Sequence, residues 1–542
     1  MNRSKYSSVA LSLAVIGVFG CAVSFHVKPA LADAKAWEQL LKDAEAAAKE
    51  KNFDQAEKLY QSAVAECKGS NLDSKFLAIT MNDLAMVYGA EGKNDLAIET
   101  IKQAIEVKEK NSGADDISIV ANLNNLAQLY RRSGKPDDAI ATYNRAISII
   151  EKKKSTNDPQ LATPLTGQAA LYDEAQKYAE EEAVLRRVIQ VLEASGNQAA
   201  KIVAVNNLAA LLKKQGKNDQ AEELYKKSVE LTTQEDKSGR GADSGRNKAA
   251  ALTNLARNYR EKSEFEKAEP LLRQAVDALS QDPSTKPAEV IVAVDNLAML
   301  YRELGQYSDA ETQYRKAIDL QKTISDAKPE ALGLRLVNLA VSQQLQGSLQ
   351  LQAGKEATKY DDAEKSFKEA LDVLTKAEGD GGVDVANCLG SLEELYREQG
   401  KFDQAEPLLL KALEIRKKTL GANSPEVAST DSDIALLYKE QGKDSDAETY
   451  FKSSIEIREK GEPTAELATS LNNLARFYRD GGKYDLAEPL YIRALEIRKA
   501  TLGPNDPGVA AVMRNYAVLL RKTGQADKAK DLDKQARAIE DR

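Results

Sequence analysis

Apolar residues recur along this chain at helical spacing, and the pattern is clearest between residues 471 and 501. Leu471, Leu474, Ala475 and Tyr478 fall at i, i+3, i+4 and i+7, which places them on one face of a helix. After Gly481 and Gly482 a second stripe follows: Ala487, Leu490, Tyr491, Ala494, Leu495 and Ile497. The spacing predicts a helix hairpin turned at the Gly-Gly pair. Asp485 and Glu488 stand three apart, the relation of a capping box, at the start of its second helix. Two helices cannot cover this much apolar surface between themselves. The hairpin needs neighbours.

The chain repeats it. With Leu474 as anchor, equivalent positions fall at Asp43, Leu84, Leu126, Gln168, Leu208, Leu255, Leu297, Leu339, Leu392, Ile434 and Tyr516. That makes twelve repeats, mostly 40–42 residues apart, with longer steps of 47 before Leu255 and 53 before Leu392. Such a period marks a helical array. Ala stands one place after the anchor in eleven of the twelve, Glu393 being the exception. With the extra residues of repeat eight set aside, it stands thirteen places after in eleven, Glu181 being the exception. Small residues at fixed sites mark close approach of helix backbones.

Counted from the anchor, Leu, Ala, Tyr at four, Gly at eight, Ala at thirteen, an aromatic or Leu at seventeen and Ala at twenty resemble the tetratricopeptide repeat. The 42-residue period and the loops Thr419–Ala428 and Thr501–Ala510 are similar to the kinesin-light-chain subtype. That subtype usually has His before the loop Pro, where Ser424 and Asp506 stand here. The resemblance implies an all-α, superhelical solenoid of about twelve helix-turn-helix repeats. It also implies a concave groove that binds peptides or protein segments.

Several stretches depart from the pattern. Residues 232–248, Gly- and Ser-rich, predict a looser loop. About eleven extra residues at 344–359 predict a longer first helix in repeat eight, ending near Gly354. Asp158 and Pro159 predict a cap and a first-turn proline. Pro270, Pro407 and Pro489 sit four after expected caps at Glu266, Asp403 and Asp485, a depth at which proline is tolerated. Residues 511–542 are polar enough to form a terminal capping repeat.

Residues 1–32 differ in kind. Arg3 and Lys5 precede an uncharged run from Val9 to Phe25, and Ala30-Leu31-Ala32 follows. This describes a secretory signal peptide cut between Ala32 and Asp33, leaving the array at 33–542 in an extracytoplasmic compartment of a bacterium. An uncleaved membrane anchor and a lipoprotein modified at Cys21 are the alternatives. Removing Arg3, Lys5 and Lys28 leaves 73 basic against 84 acidic residues, a net charge of −11. Such an acidic surface argues against nucleic-acid binding. The only histidine, His26, lies in the same segment.

Without that histidine, Ser-His-Asp, Cys-His and His-based metal sites are excluded. Carboxylate pairs such as Asp137–Asp138, Asp361–Asp362 and Glu393–Glu394 fall at helix starts or on solvent faces, where capping and solubility explain them. No enzyme, cofactor or metal is expected.

Function is expected on the first-helix face opposite the Leu-Ala-Tyr stripe. Positions two before, one before, two after, five after and six after the anchor share that face. Asn recurs one before the anchor at Asn125, Asn207, Asn254, Asn296, Asn338, Asn473 and Asn515. Five after stand Arg131, Lys213, Arg260, Arg302, Arg397, Lys439, Arg479 and Arg521, with Arg257 and Arg476 two after. Asn amides pair with an extended backbone and Arg grips carboxylates, so acidic or C-terminal peptide segments are the expected partners. The competing reading has the Arg stems packing and pairing with Glu of the adjacent repeat. A glycan-binding carrier or assembly factor of envelope or secretion machinery is the alternative function.

Overall fold

The computed structural model describes residues 33–69, 74–238 and 244–541. The expected signal segment, with Cys21 and Ala32, lies outside them. The described residues form twenty-four α-helices and two short 3-10 turns, with no strand among them. They pair as twelve helix hairpins, from Asp33–Lys49 with Phe53–Gly69 to Pro507–Lys522 with Ala526–Glu540. The chain divides into two compact bodies, Met1–Gly239 and Arg240–Arg542. Repeats one to five fall in the first and repeats six to twelve in the second. Within each body a helix packs chiefly on the helices before and after it in sequence.

The small residues sit where backbones meet. Every Ala thirteen after the anchor, from Ala56 to Ala529, is fully buried, and so is the Ala after the anchor in all repeats but four and nine. Tyr60, Tyr143, Tyr314, Phe367, Phe451 and Tyr491 fill the layer between them, seventeen after the anchor. Of the stripe predicted on Tyr484–Leu502, Ala487, Tyr491 and Ala494 are buried, while Leu490, Leu495 and Ile497 are half-buried.

The turn between paired helices has one geometry throughout. Position eight is left-handed in every hairpin: Gly in nine, including Gly354 of the lengthened repeat, and Lys51, Gln176 and Ser263 (φ 61°, 55° and 60°) in the others. Backbone geometry is therefore kept where the glycine is lost, at a cost of roughly 1 kcal/mol per site. Around many of these turns a polar link crosses repeats. The Glu fourteen after the anchor accepts from the next repeat's Tyr hydroxyl, as in Tyr396–Glu364 (3.0 Å), Tyr438–Glu406 (3.1 Å) and Tyr478–Glu448 (2.9 Å). Lys443 and Lys483, nine after their anchors, pair with the same carboxylates at 2.8 and 3.0 Å. In repeat eight Gln343 replaces the Tyr, and Glu311 instead accepts from Gln343 Nε2 (3.0 Å) and Lys359 Nζ (2.9 Å).

Four expectations change. The second helix of repeat eleven begins at Tyr484, with Lys483 at its cap position and no side-chain cap, so Asp485 lies in its first turn. The helices holding Pro270 and Pro407 likewise start at Phe265 and Phe402. All three prolines thus lie inside their helices. Each removes one internal backbone bond, and each sits on an exposed side. Residues 232–238 and 244–248, expected as loop, are helical, while 239–243 lie outside the described residues. The extra residues of repeat eight do lengthen its first helix, Pro329–Gln352, to 24 residues.

Loop caps follow residue chemistry. Ser424 accepts from Val427 N (3.3 Å) and Asp506 from Gly508 N (2.7 Å). The two residues that replace the subtype's His therefore serve as helix caps. Asp158 accepts from Gln160 N (2.9 Å), with Pro159 opening a 3-10 turn. The last helix buries only Ala529 and Ala536, leaving the polar outer face a terminal repeat requires.

Candidate functional site

The Asn row lies half-buried on the first helices of both bodies. Amides of neighbouring repeats join at two places: Asn125 Nδ2 donates to Asn82 Oδ1 (3.0 Å) and Asn515 Nδ2 to Asn472 Oδ1 (3.1 Å). Asn338 accepts from Arg302 Nη1 (3.3 Å). Asn207, Asn254, Asn296 and Asn473 form no hydrogen bond with other described residues. Their amides are held on rigid helices with donors and acceptors unspent.

Two repeats place Asp in this row, and they report its surroundings. Asp433 is exposed, yet burial among neighbouring atoms pushes its carboxyl up to about 6 against the pull of Arg416 and Arg397. Burial pushes Asp83, half-buried in the first body, up to about 6 as well.

The row five after the anchor is largely occupied. Arg131 pairs with Glu174 (2.7 Å), Arg260 with Glu303 (2.7 Å), Arg397 with Glu440 (3.3 Å) and Lys439 with Asp480 (2.9 Å). Each acid stands six after the next repeat's anchor. Between repeats four and five the charges are reversed, Asp173 pairing with Lys214. Arg479 pairs with Asp480 (2.7 Å), is only 11% exposed, and donates to the Asn515 carbonyl oxygen (3.4 Å). Arg521 pairs with Asp533 of the last helix. Apart from Arg521, these cations therefore tie successive first helices together. Arg257 and exposed Arg476, two after their anchors, have no partner among the described residues.

Sequence reasoning missed two further rows of this face. Residues five before the anchor are exposed: Ala250, Val292 and Leu334 in repeats six to eight, then Asn387, Ser429 and Thr469 in repeats nine to eleven. Beside the polar three stand Arg416, Arg458 and Arg498, contributed by second helices and each 24 after its anchor. Arg416 Nη2 donates to Asn387 Oδ1 (3.0 Å) and its Nη1 to Thr430 Oγ1 (2.5 Å). Arg458 donates to Ser429 Oγ (2.9 Å) and Arg498 to Thr469 Oγ1 (2.6 Å). The three Nε atoms are buried without a partner, and none of the three guanidiniums is ion-paired among the described residues. Burial holds Arg416 and Arg458 below the usual arginine range. The recurring Glu-Ile-Arg of residues 414–416, 456–458 and 496–498 was the available signal.

No group of three or more His, Cys, Asp or Glu among the described residues is placed to hold a metal ion, and no described helix is long and apolar enough to cross a membrane. Cys67 and Cys388 are buried free thiols, Cys388 pushed up to about 12 by burial.

Hairpins stacked through buried alanines, with polar faces presented in register, define a helical-repeat protein. The chain belongs to the tetratricopeptide repeat family, whose model matches residues 41–110, 118–194, 201–281, 247–323, 355–418, 394–460 and 466–540. Among solved structures it is similar to BtubC (BKLC) from P. vanneervenii, with 23% identity over 44% of this chain and 91% of that one, at a TM-score of 0.37. A putative kinesin light chain of nearly identical repeats from Podospora anserina matches with 20% identity over 39% of this chain and 99% of that one, at 0.33. Yeast Tom70 matches with 16% identity over 94% of this chain and 93% of that one, at 0.39. A search of the curated proteins finds no match.

Proposed function

We propose that this chain is a non-catalytic scaffold or receptor outside the cytoplasm that binds peptide or protein segments along its first-helix face. The observation that carries the reading is the set of half-buried amides at Asn207, Asn254, Asn296 and Asn473, fixed at equivalent positions and unpaired among the described residues. An extended backbone supplies the alternating carbonyl and N–H groups that such amides complete. No Trp, Tyr or Phe stands at the face positions two before, one before, two, five or six after any anchor, so the stacking platform a glycan would use is missing. The paired state of the Arg row makes the amides, and not Arg479, the primary contacts.

The extracytoplasmic part of the reading rests on the composition of residues 1–32. Intact-mass measurement of the mature protein tests it: a chain beginning at Asp33 supports export, and full-length cytosolic protein refutes it. Pull-down from the envelope fraction with wild-type and Asn296→Asp/Asn473→Asp chains, read by mass spectrometry, tests the binding face. Partners should be depleted by the double substitution. Partners captured equally by both chains would move the site off this face.

A further inference from the structure

The second body carries a polarity along its first-helix face. Five before the anchor, Val292 is 59% exposed and Leu334 is 41% exposed, following Ala250. In repeats nine to eleven the same position is Asn387, Ser429 and Thr469, each holding an arginine that forms no ion pair among the described residues. Aliphatic and cationic stretches thus adjoin on one continuous row. The companion arginine is missing where the row is apolar: Leu279, Gln321 and Leu374 stand at the equivalent sites of repeats six to eight. Three carboxylates flank the cationic stretch without pairing to it: Asp433 lies among Arg416, Arg397 and Arg458, while Glu426 acts on Arg416 and Glu466 on Arg458.

We infer that repeats seven to eleven receive an extended peptide segregated into an aliphatic half, seated on Val292 and Leu334, and an acidic half, seated on Arg416, Arg458 and Arg498. The inference rests on the peptide-binding reading above and specifies its ligand class. Charge complementarity selects the acidic half. Each guanidinium spends donors on a neutral hydroxyl or amide and, its Nε being buried, keeps its remaining Nη donors for a carboxylate, its strongest partner. The aliphatic half covers side chains whose exposure otherwise costs free energy in water. Four steps between neighbouring first helices, at roughly 10 Å each, span about 40 Å, the reach of about 12 extended residues.

The test uses the full chain. Random 12-residue peptides displayed on phage are selected on it, and the enriched sequences are synthesised with fluorescein and titrated by fluorescence anisotropy. Enriched peptides should carry their aliphatic and their Asp or Glu residues in opposite halves. Arg416→Gln with Arg458→Gln should weaken binding about tenfold or more, with the far-ultraviolet circular dichroism unchanged. Val292→Ser should weaken it about threefold. Should the double arginine variant unfold, Asn387→Asp with Ser429→Asp replaces it, setting a carboxylate beside each guanidinium at two exposed positions, with the same loss expected. Peptides of intermixed composition, or binding that ignores the arginines yet fails in Asn296→Asp/Asn473→Asp, overturn this inference and leave the peptide-binding reading standing. No enrichment at all, or peptides that ignore all of these substitutions, overturns both.

Discussion

The link between repeats ten and eleven gives the sharpest quantitative test. Glu448 accepts from Tyr478 Oη (2.9 Å), Lys452 Nζ (2.7 Å) and Lys483 Nζ (3.0 Å). Hydrogen bonds from Lys452 first, then Lys483, hold its carboxyl down at about 2. The phenol donates to a charged acceptor at a part-buried site, worth about 1.5 kcal/mol at the lower end of such bonds. The two lysine side chains are 60% and 52% exposed, so their pairs add only a few tenths each, for a total of about 2 kcal/mol. Glu448→Gln keeps an oxygen for Tyr478 but loses the charge, so about half of this should go. In a solenoid that loss falls on the local interface and not on the whole chain. Hydrogen–deuterium exchange of peptides covering 444–480 should then run about fivefold faster than wild type at pH 7. The folded carboxyl titrates near 2 and the unfolded one near 4.5, so the stabilisation is complete above 4.5 and fades as pH falls toward 2. The variant-to-wild-type rate ratio should therefore shrink between pH 5 and pH 3. An unchanged exchange rate at pH 7, or a ratio that stays constant down to pH 3, would refute the reasoning.

Two further predictions concern stability. Ser263→Gly, at a left-handed turn position, should raise stability by about 0.5–1 kcal/mol in urea unfolding, and any loss would mean that the serine side chain has a role the turn does not reveal. Glu393 replaces a buried alanine, is 3% exposed, and is pushed up to about 8 by burial despite Arg397. Its folded form favours the proton, so the wild type loses stability as pH rises from about 4.5 to about 8. Glu393→Gln should remove that slope and gain about 1–3 kcal/mol at pH 8, with little difference at pH 5. A gain independent of pH would place the charge elsewhere.

Most of the scaffold was legible because it depends on residues of one hairpin. Anchor, alanine and turn positions repeat with fixed spacing, and helical geometry alone puts them on one face. The boundaries of second helices were harder. Asp485 has the chemistry of a cap, but the Gly-Gly turn starts the helix at Tyr484 before a cap is needed. The cationic row five after the anchor was visible, and its partners were foreshadowed only as an alternative. Glu174, Glu303 and Glu440 lie 43 residues from Arg131, Arg260 and Arg397, a separation that single-helix periodicity does not address. Arg416, Arg458 and Arg498 were missed for a related reason. They reach the first-helix face from second helices, and only hairpin packing shows which side chains cross over.

The Glu–Tyr–Lys link of the fold also bears on how long the array is. Glu406 and Glu448 are 42 residues apart, and the Tyr–Lys pairs they meet, Tyr438 with Lys443 and Tyr478 with Lys483, are identical in kind. Excising residues 407–448 would bring Glu406 to Tyr478 and Lys483, so the new junction would inherit a complete set of matching couplers. Duplicating the same stretch would do likewise. Copy number is thus a free variable of this architecture: recombination at whole-period breakpoints can shorten or extend the first-helix face without having to invent a new joint.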